Sequence, residues 1–201
     1  MVFYPAGPNG ASGVGTFMLA LYRRTHNQTY LSYAEGAANW ICYAAISENG
    51  GYKWPHPDLD LHSPGWWLSN IVADIGGFLL KMYFETHNQM YLFYAKGAAQ
   101  WLISMKVKSD RAGYFVPYNP PYKYGSQAAH GISPGREAQT AGFLLRMYQQ
   151  SGNESYLQVV KDVATWLIDG AEDGIYLRYE ENGGYKWLSD IPWSVIRYGL
   201  S

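Results

Sequence analysis

A single cysteine, Cys42, stands in the 201 residues of the chain. That count excludes an internal disulfide and any metal site built from several thiolates of one copy. Charge is also scarce: 15% of residues are charged, where about 25% is usual. The formal net charge is -1 and no basic cluster occurs, so the electrostatic footprint of a nucleic-acid-binding protein is missing and neither DNA nor RNA is an expected partner. No apolar run approaches the roughly 18 residues that span a bilayer, and the N-terminus lacks the charged-then-apolar order of a signal peptide. No membrane partner is expected. What the chain has in abundance is aromatic character, 17% with 8 Trp and 19 Tyr, which suits aromatic-lined surfaces or interfaces. The length allows a sizeable core and nothing marks an internal boundary, so one domain over 1–201 is expected.

The chain repeats itself. Gly77 to Leu102 reads GFLLKMYFETHNQMYLFYAKGAAQWL, Phe17 to Ile41 reads FMLALYRRTHNQTYLSYAEGAANWI, and Phe143 to Leu167 reads FLLRMYQQSGNESYLQVVKDVATWL. Ungapped recurrence at such a period signals a repeat architecture. Each unit reads as a helical hairpin. The first half (Phe78, Leu79, Leu80, Met82, Tyr83) is apolar nearly all round, which predicts a helix buried on most sides. In the second half Tyr91, Leu92, Ala95, Ala98, Ala99 and Leu102 recur at helical spacing and leave Lys96 and Gln100 outward. Between the halves, His26 and His87 align with Gly152 where a helix end wants a left-handed residue, and Asn27, Asn88 and Asn153 stand at the next N-cap. Trp40, Trp101 and Trp166 on the second helices are expected in the core.

The hairpin units run over about 14–54, 64–117 and 133–187. Residues 1 to 13 carry Pro and Gly as loop signals. Asn49 to Trp54 reads as a tight turn followed by a short extended piece. The same hexapeptide returns at Asn182 to Trp187, with a degenerate copy at Ala112-Gly113-Tyr114. Ser63-Pro64 and Ser133-Pro134 each read as an N-cap followed by Pro in the first turn. At the other end, Ile196 to Ser201 resembles the lead-in to a further hairpin.

Three such hairpins, with G-x-G-F-L-L before, Y-L-x-x-A-x-x-A-x-x-W-L within and N-G-G-Y-K-W after, resemble the lanthionine synthetase C-like family. The resemblance implies an all-α fold, an α/α toroid of which three hairpins make a partial or open ring, with short β-like Tyr-Lys-Trp segments in the linkers. More distantly the pattern is similar to six-hairpin glycosidases, unsaturated glucuronyl hydrolases and uronate epimerases. Active lanthionine synthetases hold zinc with two Cys and one His, and the metal activates a peptide thiol. The matching lead-ins here, His62 to Trp67 and His130 to Gly135, contain no cysteine. No metal site and no cofactor are therefore expected.

The loops that precede the first helices should gather at one mouth of a toroid. They carry Asp58, Asp60, His62, Asp74, His130, Arg136, Glu137 and Gln139. Of these, Asp58, Asp60, His62, His130 and Glu137 are candidates for acid–base work on a sugar, provided that carboxylates stand across the bond at the required separation; the bland alternative for the aspartates is a solvated turn or cap. Tyr52, Trp54, Trp66, Trp67, Tyr114, Tyr185 and Trp187 are candidates for stacking on sugar rings. Recurrence of Tyr-Lys-Trp at matched positions favours packing between repeats instead. Replacement of His26 and His87 by Gly152 in the third copy favours backbone conformation over metal binding for those histidines. Asn27-Gln28-Thr29 and Asn153-Glu154-Ser155 fit the glycosylation acceptor pattern, a pointer to an extracellular location, although capping already accounts for both asparagines.

Three functions follow. The first is a non-catalytic module that associates with itself head to tail as a ring or filament, because both terminal hairpins keep the apolar character of interior repeats. The second is a carbohydrate-active enzyme of the six-hairpin type with a glycan partner. The third is the N-terminal part of a zinc-dependent cyclase. The first is the expectation the residues favour.

Overall fold

The computed structural model describes residues 7–54, 69–108, 114–115, 131–132, 134–172, 177–179, 185–187 and 191–192. Within them the chain forms three helical hairpins, α1 (Pro8–Thr25) with α2 (Gln28–Tyr43), α3 (Ser69–Thr86) with α4 (Gln89–Ser104), and α5 (Pro134–Ser151) with α6 (Glu154–Glu172). Short strands follow them: β1 (Ile46–Glu48) and β2 (Gly51–Lys53), β3 (Val107–Lys108) and β4 (Tyr114–Phe115), β5 (Gly131–Ile132), then β6 (Leu177–Tyr179), β7 (Tyr185–Trp187) and β8 (Ile191–Pro192). β1–β2, β3–β4, β6–β7 and β5–β8 pair antiparallel. This is a helical-hairpin repeat of the α/α-toroid type, and the Tyr-Lys-Trp segments are extended, as the repeat predicted.

The turn inside each hairpin is the same object three times. His26 (φ 56°), His87 (φ 57°) and Gly152 (φ 66°) adopt the left-handed conformation, which glycine and histidine tolerate better than most residues. Their N–H groups close the first helices on Tyr22, Tyr83 and Tyr148 carbonyls at 2.7, 2.8 and 2.7 Å. Asn27, Asn88 and Asn153 then cap the second helices, each accepting at 3.0 Å from the backbone N–H two residues on. The preceding hydroxyl, from Thr25, Thr86 or Ser151, donates to the carbonyl four residues back at 2.7 to 2.8 Å and accepts the Asn N–H at 3.3 Å. Sequence, conformation and hydrogen bonds thus agree atom by atom.

One boundary differs from expectation. Pro8 to Gly13 are helical, the opening turns of α1. Proline at the first helical position needs no N–H and already has helical φ, and the Ser12 hydroxyl donates to the Asn9 carbonyl at 2.8 Å. All three first helices are consequently 18 residues long, and Pro134 opens α5 in the same way. Ser63-Pro64 lies outside the described residues.

The chain divides into two compact units, residues 1–67 with 71–101 and residues 68–70 with 102–201. In the first unit like helices meet like. Gly15 of α1 lies against the Phe78 ring of α3, so closely that a Cβ there would run into it, and Arg23 of α1 pairs with Glu85 of α3 at 2.7 Å. Tyr91 of α4 donates to the Asn39 side chain of α2 at 2.9 Å. The core collects Leu19, Ile41, Phe78, Leu79, Met82 and Trp101. In the second unit Phe143, Leu144 and Met147 of α5 are buried, as are Val159, Val163 and Trp166 of α6.

Burial departs from the sequence pattern in the first hairpin. Phe78 and Phe143 are 1% and 0% exposed but Phe17 is 59% exposed, and Trp101 and Trp166 are 1% and 2% exposed but Trp40 is 39% exposed. The expectations that α1 is buried on most sides and that Trp40 is core are therefore corrected. A repeat residue is buried by the element that lies over it, and its own sequence does not supply that element.

Candidate functional site

The heptapeptide Glu48 to Trp54, whose sequence returns at Glu181 to Trp187, works as a clip on α4. Its turn needs left-handed backbone at Asn49 (φ 50°) and Gly50 (φ 76°), the Asn-Gly preference of a two-residue hairpin. Gly51 then meets α4 backbone to backbone: a Cβ there would strike the Gly97 carbonyl and the Trp101 amide. The Tyr52 ring fills the space that the missing Gly97 side chain leaves, with ring centroids 4.8 Å from Tyr94 and 5.6 Å from Phe93. Lys53, itself buried, donates to Glu48 Oε1 at 2.5 Å, and Trp101 Nε1 donates to Glu48 Oε2 at 2.9 Å. Burial pushes the Glu48 carboxyl up, but the hydrogen bonds from Lys53 and Trp101 and the Lys53 charge outweigh it and hold the group below its ordinary value.

This geometry decides between the readings of two candidate aromatics. Trp54 is 1% exposed and its indole donates to the Ile41 carbonyl at 2.7 Å, so its assignment to a glycan platform is corrected: it offers no free face. Tyr52 stacks on α4 rather than on solvent. Tyr114 lies on β4, and Tyr185 and Trp187 lie on β7. Asp58, Asp60, His62, Trp66, Trp67 and His130 lie outside the described residues.

Glu137 is the catalytic candidate that the described residues contain. It sits in the first turn of α5 and is fully buried, where the helix N-terminus favours negative charge. Thr140, one turn further on, is fully buried too, and its hydroxyl has no hydrogen-bond partner among the described residues. Asp74 is exposed on α3. Burial pushes the Cys42 thiol up to about 12, which makes it a poor nucleophile and a poor metal ligand. Among the described residues no group of three or more His, Cys, Asp or Glu could hold a metal ion, and no helix is long and apolar enough to cross a membrane.

Sequence reading passed over Glu48, Lys53 and Gly97, the partners that make the clip. A signal for them existed. Gly97 begins a Gly-Ala-Ala-x-Trp stretch that the first hairpin repeats at Gly36 to Trp40 and the third replaces by Asp162 to Trp166.

No family model and no curated protein matches the chain. Solved structures do. One is an inactive variant of the α-1,6-mannanase GH76A of Salegentibacter sp. HEL1_6 in complex with α-1,6-mannotetrose, 19% identical with a TM-score of 0.64, over 89% of this chain and 50% of that one. A second is a D-mannose isomerase, 15% identical with a TM-score of 0.69, over 98% of this chain and 50% of that one. A third is the endo-β-1,4-glucanase CMCax of Acetobacter xylinum, 12% identical with a TM-score of 0.60, over 91% of this chain and 57% of that one. The mannanase and the isomerase are six-hairpin α/α toroids, and the three hairpins described here are of that α/α-toroid type. At these identities the likeness concerns the fold, and the chain spans about half the length of the structures it matches.

Proposed function

We propose that this chain is a carbohydrate-active module of the six-hairpin α/α-toroid type, whose ligand is a neutral or acidic oligosaccharide. One observation carries the reading: structures with three different sugar chemistries, a mannanase, a mannose isomerase and a glucanase, share its fold. This is an inference by analogy of fold, since one fold hosts many functions. The low charge and high aromatic content support it, because sugar rings present apolar faces that aromatic side chains cover. The acid or base of the site is not assigned to Glu137 in this reading, because Glu137 is fully buried and such a group must come within hydrogen-bond reach of the sugar. The mannanase variants are inactivated at two consecutive aspartates, and this chain contains no such pair. The proposal is therefore glycan handling and not mannanase activity.

Calorimetry with mannotetraose, cellotetraose and a uronate-containing tetrasaccharide tests the proposal. Saturable binding to one of these is the expected result; no binding to any of them overturns it.

The resemblance to lanthionine synthetase C-like proteins is the less supported reading, because the single cysteine is buried and protonated. Self-association is a second reading that a specific observation favours, the exposure of Val14 and Phe17 on α1. We infer from their shared repeat that the three hairpins belong to one repeat domain.

A further inference from the structure

We propose that the first hairpin carries an unfilled receptor for the clip of a second copy of this chain, formed by Tyr33, Gly36 and Trp40 on α2. The inference is independent of the glycan reading. On α4 the receptor for a clip is seen filled: Tyr94, Gly97 and Trp101 receive Tyr52, Gly51 and Glu48. The repeat offset of 61 maps those three residues onto Tyr33, Gly36 and Trp40, with identical side chains. Among the described residues nothing fills the α2 copy. A Cβ at Gly36 would meet nothing within 4 Å, and Tyr33 and Trp40 are large apolar side chains left exposed.

The occupant follows from the other end of the repeat. Glu181 to Trp187 repeats Glu48 to Trp54 residue for residue, E-N-G-G-Y-K-W, and its Tyr185–Trp187 portion is a hairpin strand like Gly51–Lys53. The third hairpin has no Gly-x-x-x-Trp receptor of its own, since Asp162 replaces the glycine. One difference separates the two clips. Ser47 pairs with Tyr52 across residues 48–51, whereas Tyr179 pairs with Tyr185 across residues 180–184. In the sequence Glu181 corresponds to Glu48, the residue that accepts from the Trp101 indole. Docking of Glu181–Trp187 on α2 of another copy is a head-to-tail contact, which continues or closes according to its rotation.

Sedimentation velocity over a dilution series tests this on the full chain. The expected result is association that rises with concentration in the wild type and is weakened at least tenfold by Gly36→Leu. That substitution fills the groove at an exposed helical position, where leucine is the better helix former, and circular dichroism checks that the fold survives. Tyr185→Ala should weaken association from the other side, and mixing the two variants should not restore it to the wild-type level. A wild type that stays monomeric at every concentration overturns the proposal, including the case in which the clip folds back on its own chain. So does association unchanged by Gly36→Leu but abolished by Phe17→Gln, which would place the contact on α1.

Discussion

The indole of Trp101 donates to the carboxylate of Glu48 at 2.9 Å across 53 residues of sequence, and with Lys53 on the other oxygen at 2.5 Å it ties the β1–β2 hairpin to α4. The Glu48 carboxyl is held below its ordinary value of 4.5, so the folded state binds its proton less readily than the unfolded state does. The stabilisation it brings is complete above that ordinary value and is lost as pH falls through the lower folded value. Thermal melts taken from neutral to acidic pH should show this loss, and Glu48→Gln should reduce it while lowering the melting temperature at neutral pH. A variant whose melting temperature matches the wild type at neutral pH would show the contact contributes nothing.

Gly51 is required by close approach. Gly51→Ala should cost about 1–3 kcal/mol by forcing the hairpin off α4, because the added Cβ would meet backbone on both the Gly97 and Trp101 sides. The same substitution at Gly36, where nothing lies within 4 Å, should instead stabilise by up to about 1 kcal/mol, the helix-propensity difference. Urea denaturation of the two variants compares them directly.

His87 is held in the left-handed region. His87→Val should cost about 1–2 kcal/mol, because a β-branched residue fits that region badly, and His87→Gly should be close to neutral. Asn88→Ala should cost about 1 kcal/mol through loss of the cap to Met90. Equal costs for valine and glycine at position 87 would contradict the conformational role and point to the imidazole itself.

Cys42 is buried and its thiol pushed up to about 12. The native protein should resist alkylation by iodoacetamide at pH 8 and react at the rate of a free thiol once unfolded in guanidinium, since the thiolate is the reactive form. Rapid labelling of the folded chain, followed by mass spectrometry, would show that α2 opens locally.

Short-range chemistry made much of this protein legible in its sequence. Histidine or glycine at 26, 87 and 152 and asparagine at 27, 88 and 153 place the hairpin turns because backbone conformation and capping are decided within a few residues. The extended Tyr-Lys segments of β2 and β7 were legible for the same reason. What only tertiary structure decided is which copy of a repeated residue is covered. Phe17 and Phe78 share a pattern, yet one is exposed and the other buried; Trp40 and Trp101 differ likewise. Trp54 shows the same limit from the opposite side, since an aromatic that suits a sugar platform is spent on the Ile41 carbonyl. Local sequence sets conformation through forces that act over one turn, whereas burial is a property of what another segment brings to the surface, and no residue encodes its neighbour across 50 positions by itself.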